Sequence, residues 1–232
     1  YLWKDPGTKR YSLTAATLAL GYRYLLVNRT VERANPFLLD LNHACGETVN
    51  FSEPSGRDMV YVGRFPTNRT TPVHMPLGRC LPMYCTSSGR AYLSMLQESE
   101  RTALLEASER VAYTASTITE LPKLLALCAE AAEQGYAYAA SEYYPGDLNI
   151  AAPVVDASGH PIGAVNISAP STRWTLARLK RELAPLVVET ASLISTRQPD
   201  LAQLAPFAMG SGKAVSARDT AARTANAPRS RR

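Results

Sequence analysis

Ser87, Ser88 and Gly89 follow Thr86 at the expected start of a helix. Thr86 or Ser87 can cap this helix, because a hydroxyl at the N-cap accepts a hydrogen bond from a free backbone N–H. The remaining N–H groups of a first helical turn have no partner inside the helix, and the helix dipole is positive there. Small side chains would let a carboxylate or phosphate approach this backbone. The residue types fit an anion site and an ordinary capped helix equally well.

Nucleophilic or metal chemistry has weaker support. Cys85 precedes the same helix start, where the dipole would lower the pKa of a thiol, so a Cys-dependent hydrolase is one alternative. No pattern identifies the histidine that such a hydrolase needs. His43, Cys45, His74, Cys80 and Cys85 do not have the spacing of a familiar zinc site, and we predict no metal and no cofactor. The sequence also lacks a P-loop, a dinucleotide fingerprint and a Gly-x-Ser-x-Gly elbow.

Composition indicates a globular protein without a membrane span. Hydrophobic residues make up 46% and charged residues 19% of the 232 residues, and no apolar run approaches the roughly 18–20 residues of a membrane helix. Four cysteines without a framework spacing predict reduced thiols and a cytoplasmic location. The net charge is +5, but six basic and two acidic residues follow Gln198, so most of the excess lies in that last segment. The charge therefore does not indicate that the folded part binds nucleic acid.

An antiparallel meander is expected in residues 135–169. Three apolar or alternating runs are separated there by turn signals at 145–147 and 156–159. We predict one strand directly after Gly135 and two more at 149–155 and 162–168. Short turns connect them, so neighbouring strands should pair antiparallel.

Helices are predicted on either side of the strands. Apolar residues recur at spacings of three and four in residues 14–45, with Thr14 as the N-cap and a break at Asn35 and Pro36. The other expected elements are a hairpin with strands 48–52 and 59–62, and helices 98–109, 121–134 capped by Thr119, and 173–196 capped by Ser171 or Thr172. Strand groups that alternate with helices in this way predict the α+β class.

The order of residues in the meander resembles a known family. Gly135-Tyr136-Ala137, then Glu142, then residues 149–156 are similar in type and spacing to the signature of IclR-type bacterial transcriptional regulators. The resemblance implies a GAF/PAS-like effector-binding domain over residues 31–198, with a central antiparallel sheet flanked by helices. The first two strands of the meander line the pocket in that family. Its members usually have Cys, Ser or Ala where Asn149 stands and an acidic residue or Ser where Ala139 stands.

The resemblance also implies roles for the first residues of the chain, and composition characterises the last ones. Residues 1–13 form a hairpin pattern that looks like the wing of a winged helix-turn-helix domain, and residues 14–30 look like the linker helix. The helices that precede a wing in the family are missing, so we expect the chain to be part of a longer protein. Lys4, Lys9 and Arg10 would contact DNA phosphates, or would simply be solvated. The composition of residues 199–232 predicts a disordered basic tail. This tail either attracts nucleic acid or has no role.

The function implied by the resemblance is ligand-responsive, DNA-binding transcription regulation, and not catalysis. A small organic acid would bind at Ser87, Ser88, Gly89, Ala139, Asn149 and Ala151. Ser88 and Asn149 would hydrogen-bond the acid, while Ala139 makes one side apolar and favours an aromatic or branched acid. Binding would shift the DNA-reading heads of a homodimer or tetramer through the linker helix. A dimerisation module without a ligand and, less well supported, a hydrolase with Cys85 as nucleophile are the alternatives.

Overall fold

A six-stranded antiparallel sheet forms the centre of the computed structural model, which describes residues 1–69 and 75–195. Its strands are β3 (Thr48–Ser55), β4 (Asp58–Phe65), β5 (Cys80–Pro82), β6 (Ala137–Ala140), β7 (Asp147–Val155) and β8 (Pro161–Pro170), and β1 (Leu2–Lys4) and β2 (Tyr11–Leu13) pair separately. The spatial order of the central sheet is β5-β4-β3-β8-β7-β6. The predicted α+β class and the predicted meander are confirmed.

The described ranges contain six helices: α1 (Thr17–Val27), α2 (Arg29–Cys45), α3 (Ser87–Ser94), α4 (Glu98–Ala107), α5 (Leu121–Gln134) and α6 (Leu176–Ser195). Helices α2 and α6 pack on one face and α3 and α5 on the other. The period of two along β7 explains why both faces are filled. Leu148, Ile150 and Val154 enter the core under α6, while Ala151 enters the core under α3 and α5. No helix in the described ranges is long and apolar enough to cross a membrane.

The predicted break at Asn35 and Pro36 is wrong. Helix α1 ends before Asn28, whose Oδ1 accepts a hydrogen bond from the N–H of Val31 at 3.0 Å and caps α2. Pro36 lies inside α2, where it costs one helical hydrogen bond. The neighbouring Ala34 and Leu38 are fully buried, so packing outweighs the local preference of proline.

Three predicted helix caps are also wrong. Thr14 lies outside α1, which begins after Ala16 without a side-chain cap, and α5 begins after Glu120 rather than Thr119. Helix α6 begins at Leu176, with Thr175 accepting from the N–H of Arg178 at 3.2 Å.

Buried Glu47 binds the residues ahead of α6. Its carboxylate accepts hydrogen bonds from Nη2 of Arg173 at 2.6 Å and Nε1 of Trp174 at 2.9 Å. These bonds hold the side chains of Arg173 and Trp174 just ahead of the helix, where the N–H of Trp174 also donates to the carbonyl oxygen of Pro170 at 3.1 Å.

The first two elements lie on the surface. All residues of β1 and β2 are exposed, including Lys4, and Lys9 and Arg10 are exposed at the hairpin tip between them. No residue of α1 is buried. The side chains of Tyr24 and Asn28 both hydrogen-bond to Glu53 on β3, which ties α1 to the sheet. The roles of residues 1–13 and 14–30 as wing and linker stay predictions, and the predicted tail at 199–232 lies outside the described residues.

Candidate ligand site

A cavity of about 20 Å³ lies where the start of α3 meets β6 and β7. Four of the six predicted ligand residues line it, namely Ser87, Ser88, Ala139 and Asn149. The other lining residues are Tyr61, Met75, Leu81, Cys85, Thr86, Glu142, Tyr143, Tyr144 and Asp147. A cavity of this volume holds about one water molecule. An organic acid therefore fits only if the lining side chains move apart.

The start of α3 presents free hydrogen-bonding groups to the cavity. Thr86 is the N-cap, and its hydroxyl accepts from the N–H of Gly89 at 3.2 Å. Ser87 and Ser88 are 1% and 3% exposed, and both line the cavity. Their backbone N–H groups belong to the first helical turn, which supplies no acceptor of its own. The two serines can therefore donate to an anionic or carbonyl oxygen.

Gly89 and Ala151, the other two predicted ligand residues, do not line the cavity. A Cβ on Gly89 would lie 2.6 Å from the carbonyl carbon of Met83 and closer still to its Cα and oxygen, so the absent side chain makes room for backbone packing. Ala151 is fully buried under α3 and α5 in the same cluster as Leu124 and Cys128. Protein neighbours account for the small size of both residues, and their roles as ligand contacts stay predictions.

A buried ion pair closes one side of the cavity. Nη1 and Nη2 of Arg90 donate to the two carboxylate oxygens of Glu142 at 2.6 and 2.5 Å. Nη1 and Nε also donate to the carbonyl oxygens of Tyr138 and Tyr84, and the N–H of Ile118 donates to Glu142. The charges of Arg90 and Glu142 are thus committed to each other, and Arg90 is not available as a receptor for an anion.

Asp147 gives another side of the cavity an acceptor that sequence reasoning missed. It is 6% exposed and accepts from Nδ2 of Asn149 at 2.8 Å and from the hydroxyl of Ser168 at 2.7 Å. Burial raises the pKa of this carboxyl above its ordinary value. The amide N–H₂ of Asn149 is therefore already engaged, and its Oδ1 lies 3.4 Å from Nδ2 of Asn166.

Cys85 lacks the environment of a nucleophile. The thiol is buried, and burial together with the negative charge of Glu142 raises its pKa to about 12. The expected lowering by the α3 dipole is therefore wrong, because desolvation and the nearby carboxylate outweigh it. Among the described residues no group of three or more His, Cys, Asp or Glu side chains could hold a metal ion. His74 lies outside those residues.

Thiol labelling can test the state of Cys85. Iodoacetamide is expected to modify exposed Cys80 long before Cys85, since a pKa of about 12 instead of 9.0 leaves roughly a thousandfold less thiolate at neutral pH. Mass spectrometry of proteolytic peptides measures both rates, and labelling in urea provides the control in which the two rates converge. Equal rates in the folded chain would contradict this account of the thiol.

Comparisons with known proteins agree with this architecture. The family model described as bacterial transcriptional regulator IclR C-terminal matches residues 23–196. The Pca regulon regulatory protein of Pseudomonas putida is 30% identical over 78% of this chain, and the chain spans 62% of that protein's length. The HTH-type transcriptional repressor AllR of Escherichia coli K12 is 29% identical over 84% of this chain and 72% of the repressor.

A solved structure gives the same result for the fold. The crystal structure of a putative transcriptional regulator from Rhodococcus sp. RHA1 superposes with a TM-score of 0.75 and 36% identity, covering 84% of this chain and 78% of that one. All three of these similar proteins are named as regulators and not as enzymes. Since the family model covers well over half of the sequence, the chain belongs to the IclR family, and residues 23–196 correspond to the family's C-terminal domain.

Proposed function

We propose that this chain is the effector-sensing part of a DNA-binding transcriptional regulator and that its effector is a small organic acid. The observation that carries the proposal is the start of α3, where the buried residues Ser87 and Ser88 line a cavity directly after the N-cap Thr86. The hydroxyls of Ser87 and Ser88 and the free N–H groups of this turn would receive the carboxylate. The relatives support the regulatory role, since the Pca regulon protein and AllR are named as regulators.

The cavity walls favour an acid with an apolar body. Ala139 contributes only a methyl group, and Tyr61, Tyr143 and Tyr144 contribute aromatic rings. Rings of Tyr143 and Tyr144 meet edge to face with centroids 4.9 Å apart, so they can rearrange around a flat ligand while keeping contact. An aromatic or branched acid fits this lining better than the smallest keto acids do.

Effector binding requires a wider cavity than the 20 Å³ of this structure. The acid must then bind a wider conformation more tightly than the closed one, and it shifts the population between them by that difference. Tyr61 is the residue through which a widening of the cavity can reach α1. It lines the cavity and also a groove of about 450 Å³ beside α1, together with Leu18 and Leu25.

A second copy of this chain is the proposed partner of α1. Leu18, Leu20, Tyr22, Leu26 and Val27 are all exposed, although a helix that is apolar on most sides is normally covered. Burying this surface in a homodimer or tetramer would place two hairpins side by side. Their basic tips at Lys4, Lys9 and Arg10 would contact DNA phosphates, which position a protein without specifying sequence. Such a regulator would act in the cytoplasm.

Replacing Asn149 with leucine is expected to abolish effector-induced stabilisation. A ligand at a hundred times its Kd stabilises by about 2.7 kcal/mol, which raises the Tm of a domain of this size by roughly 5–10 °C. The measurement is a thermal-shift screen of the chain against aromatic and aliphatic carboxylic acids. Leucine removes the amide that holds Asp147 in place at the cavity wall. Asn35→Leu, on the exposed side of α2, is the matched control and should keep the full shift.

The small volume of the cavity also favours a second candidate function, a dimerisation module that binds no ligand. A cooperative melt that no acid in the panel shifts would support this module and contradict the effector proposal. A shift retained in Asn149→Leu would instead place the acid elsewhere on the chain.

A further inference from the structure

We propose that Asp147 makes the site selective for hydroxy acids, meaning acids that carry a hydroxyl group away from the carboxylate. This inference rests on the proposed function, because it assigns the second polar contact of the same effector. The carboxylate would lie at the α3 start, and the hydroxyl would donate to Asp147.

Asp147 has unused acceptor capacity inside the cavity. An ionised carboxylate offers about four lone-pair positions. Asn149 and Ser168 donate to one oxygen each, at 2.8 and 2.7 Å. The side chain lines the cavity and is almost completely buried. Since a buried carboxylate is costly unless it is well hydrogen-bonded, a further donor from the ligand would be stabilising.

The two polar sides of the cavity have opposite hydrogen-bonding character. Ser87 and Ser88 offer the free backbone N–H groups of the first helical turn as donors, whereas Asp147 offers an acceptor. Glu142 is the other acidic group on the wall, but Arg90 binds both of its oxygens. A ligand carboxylate would be repelled at Asp147 and attracted to α3. The ligand is thereby oriented, and only a donor on its other end can meet Asp147.

Further buried polar groups lie behind Asn149, on the same side of the cavity as Asp147. Asn166 and Asn50 are cross-strand neighbours, each almost completely buried. Oδ1 of Asn166 and Nδ2 of Asn50 have no hydrogen-bond partner within the described ranges. Buried amides without partners are rare in folded proteins. Nδ2 of Asn166 lies 3.4 Å from Oδ1 of Asn149, so polar groups rather than apolar ones continue behind this wall residue.

A hydroxyl suits Asp147 better than an ammonium group. Two neutral donors already stabilise the carboxylate, and Arg64 adds a favourable charge interaction. A neutral hydroxyl loses less hydration than an ammonium ion when it enters a closed cavity. The structure therefore favours a hydroxy acid over an amino acid.

Matched acids test the inference on the 232-residue chain. Calorimetry would compare benzoate with 3- and 4-hydroxybenzoate, and propionate with 3-hydroxypropionate and β-alanine. In at least one pair the hydroxy acid is expected to bind about tenfold more tightly or better, since a site built for a hydroxyl rejects the analogue that lacks it. Asp147→Leu should remove this preference, so that the hydroxylated acid binds no more tightly than its plain partner. Asp40→Leu, at an exposed position of α2, should keep the preference.

The outcomes separate this inference from the proposed function. Plain and hydroxylated acids that bind equally well would overturn the role of Asp147 and leave the acid effector standing. A preference for β-alanine would overturn the hydroxyl assignment. Binding of none of the acids would overturn the proposed function and this inference together. The comparison within the unmodified chain decides the case even if Asp147→Leu does not fold.

Discussion

Replacing Glu142 with alanine is expected to lower the free energy of unfolding by about 3–5 kcal/mol. The substitution leaves the guanidinium of Arg90 buried without a counter-ion, since Arg90 is 1% exposed and both of its terminal nitrogens donate to Glu142. The N–H of Ile118 loses its acceptor as well. Urea denaturation followed by circular dichroism measures the change.

Two further variants identify the ion pair as the cause. Glu120→Ala removes an exposed carboxylate that pairs with Lys123, and it should cost far less than Glu142→Ala because water screens the pair. The double variant Arg90→Met, Glu142→Leu should be more stable than Glu142→Ala, because it leaves no buried charge without a partner. A cost for Glu142→Ala no larger than that for Glu120→Ala would refute this account.

Gly89→Ala is expected to destabilise the fold by about 3 kcal/mol or more. The new Cβ would lie 2.6 Å from the carbonyl carbon of Met83, and backbone atoms cannot rotate away as a flexible side chain can. Overpacking of this kind forces a shift of the main chain and costs typically about 1–3 kcal/mol, and more where backbone is involved. The start of α3 would move with it, so ligand binding should weaken too. Thermal melts with and without ligand measure both effects.

Gly21→Ala provides the matched control for Gly89→Ala. Gly21 is also a helical glycine, but a Cβ there would have nothing within 4 Å. Alanine is the better helix former by roughly 0.5–1 kcal/mol, so this variant should be slightly more stable than the unmodified chain. If both variants lost stability, the close approach of Gly89 to Met83 would not explain the loss in Gly89→Ala.

The strands were predictable because their signals are local. Alternating residues and the turns at 145–147 and 156–159 identify β6, β7 and β8 before any long-range contact is known. The break between α1 and α2 was not predictable in the same way. The prediction gave Pro36 more weight than Asn28, whereas the burial of Ala34 and Leu38, which decides the case, depends on the sheet below them.

The site was predictable only in part. The signature stretch led to Asn149 and Ala139, which line the cavity, but residue type does not show which way a small residue faces. Gly89 was therefore interpreted as room for a ligand when it makes room for Met83. Asp147 was assigned to a turn, although β7 begins there, two residues earlier than predicted. Arg90 and Glu142 lie 52 residues apart, and sequence spacing alone does not pair them.

Tyr61 belongs to two surfaces at once, the ligand cavity and the groove beside α1. If an acid that displaces this ring alters how α1 meets a second copy of the chain, thermodynamic reciprocity requires the converse. Association of the two copies must then change the affinity for the acid by the same factor. The concentration of acid to which such a regulator responds would therefore depend on how much of the protein the cell contains.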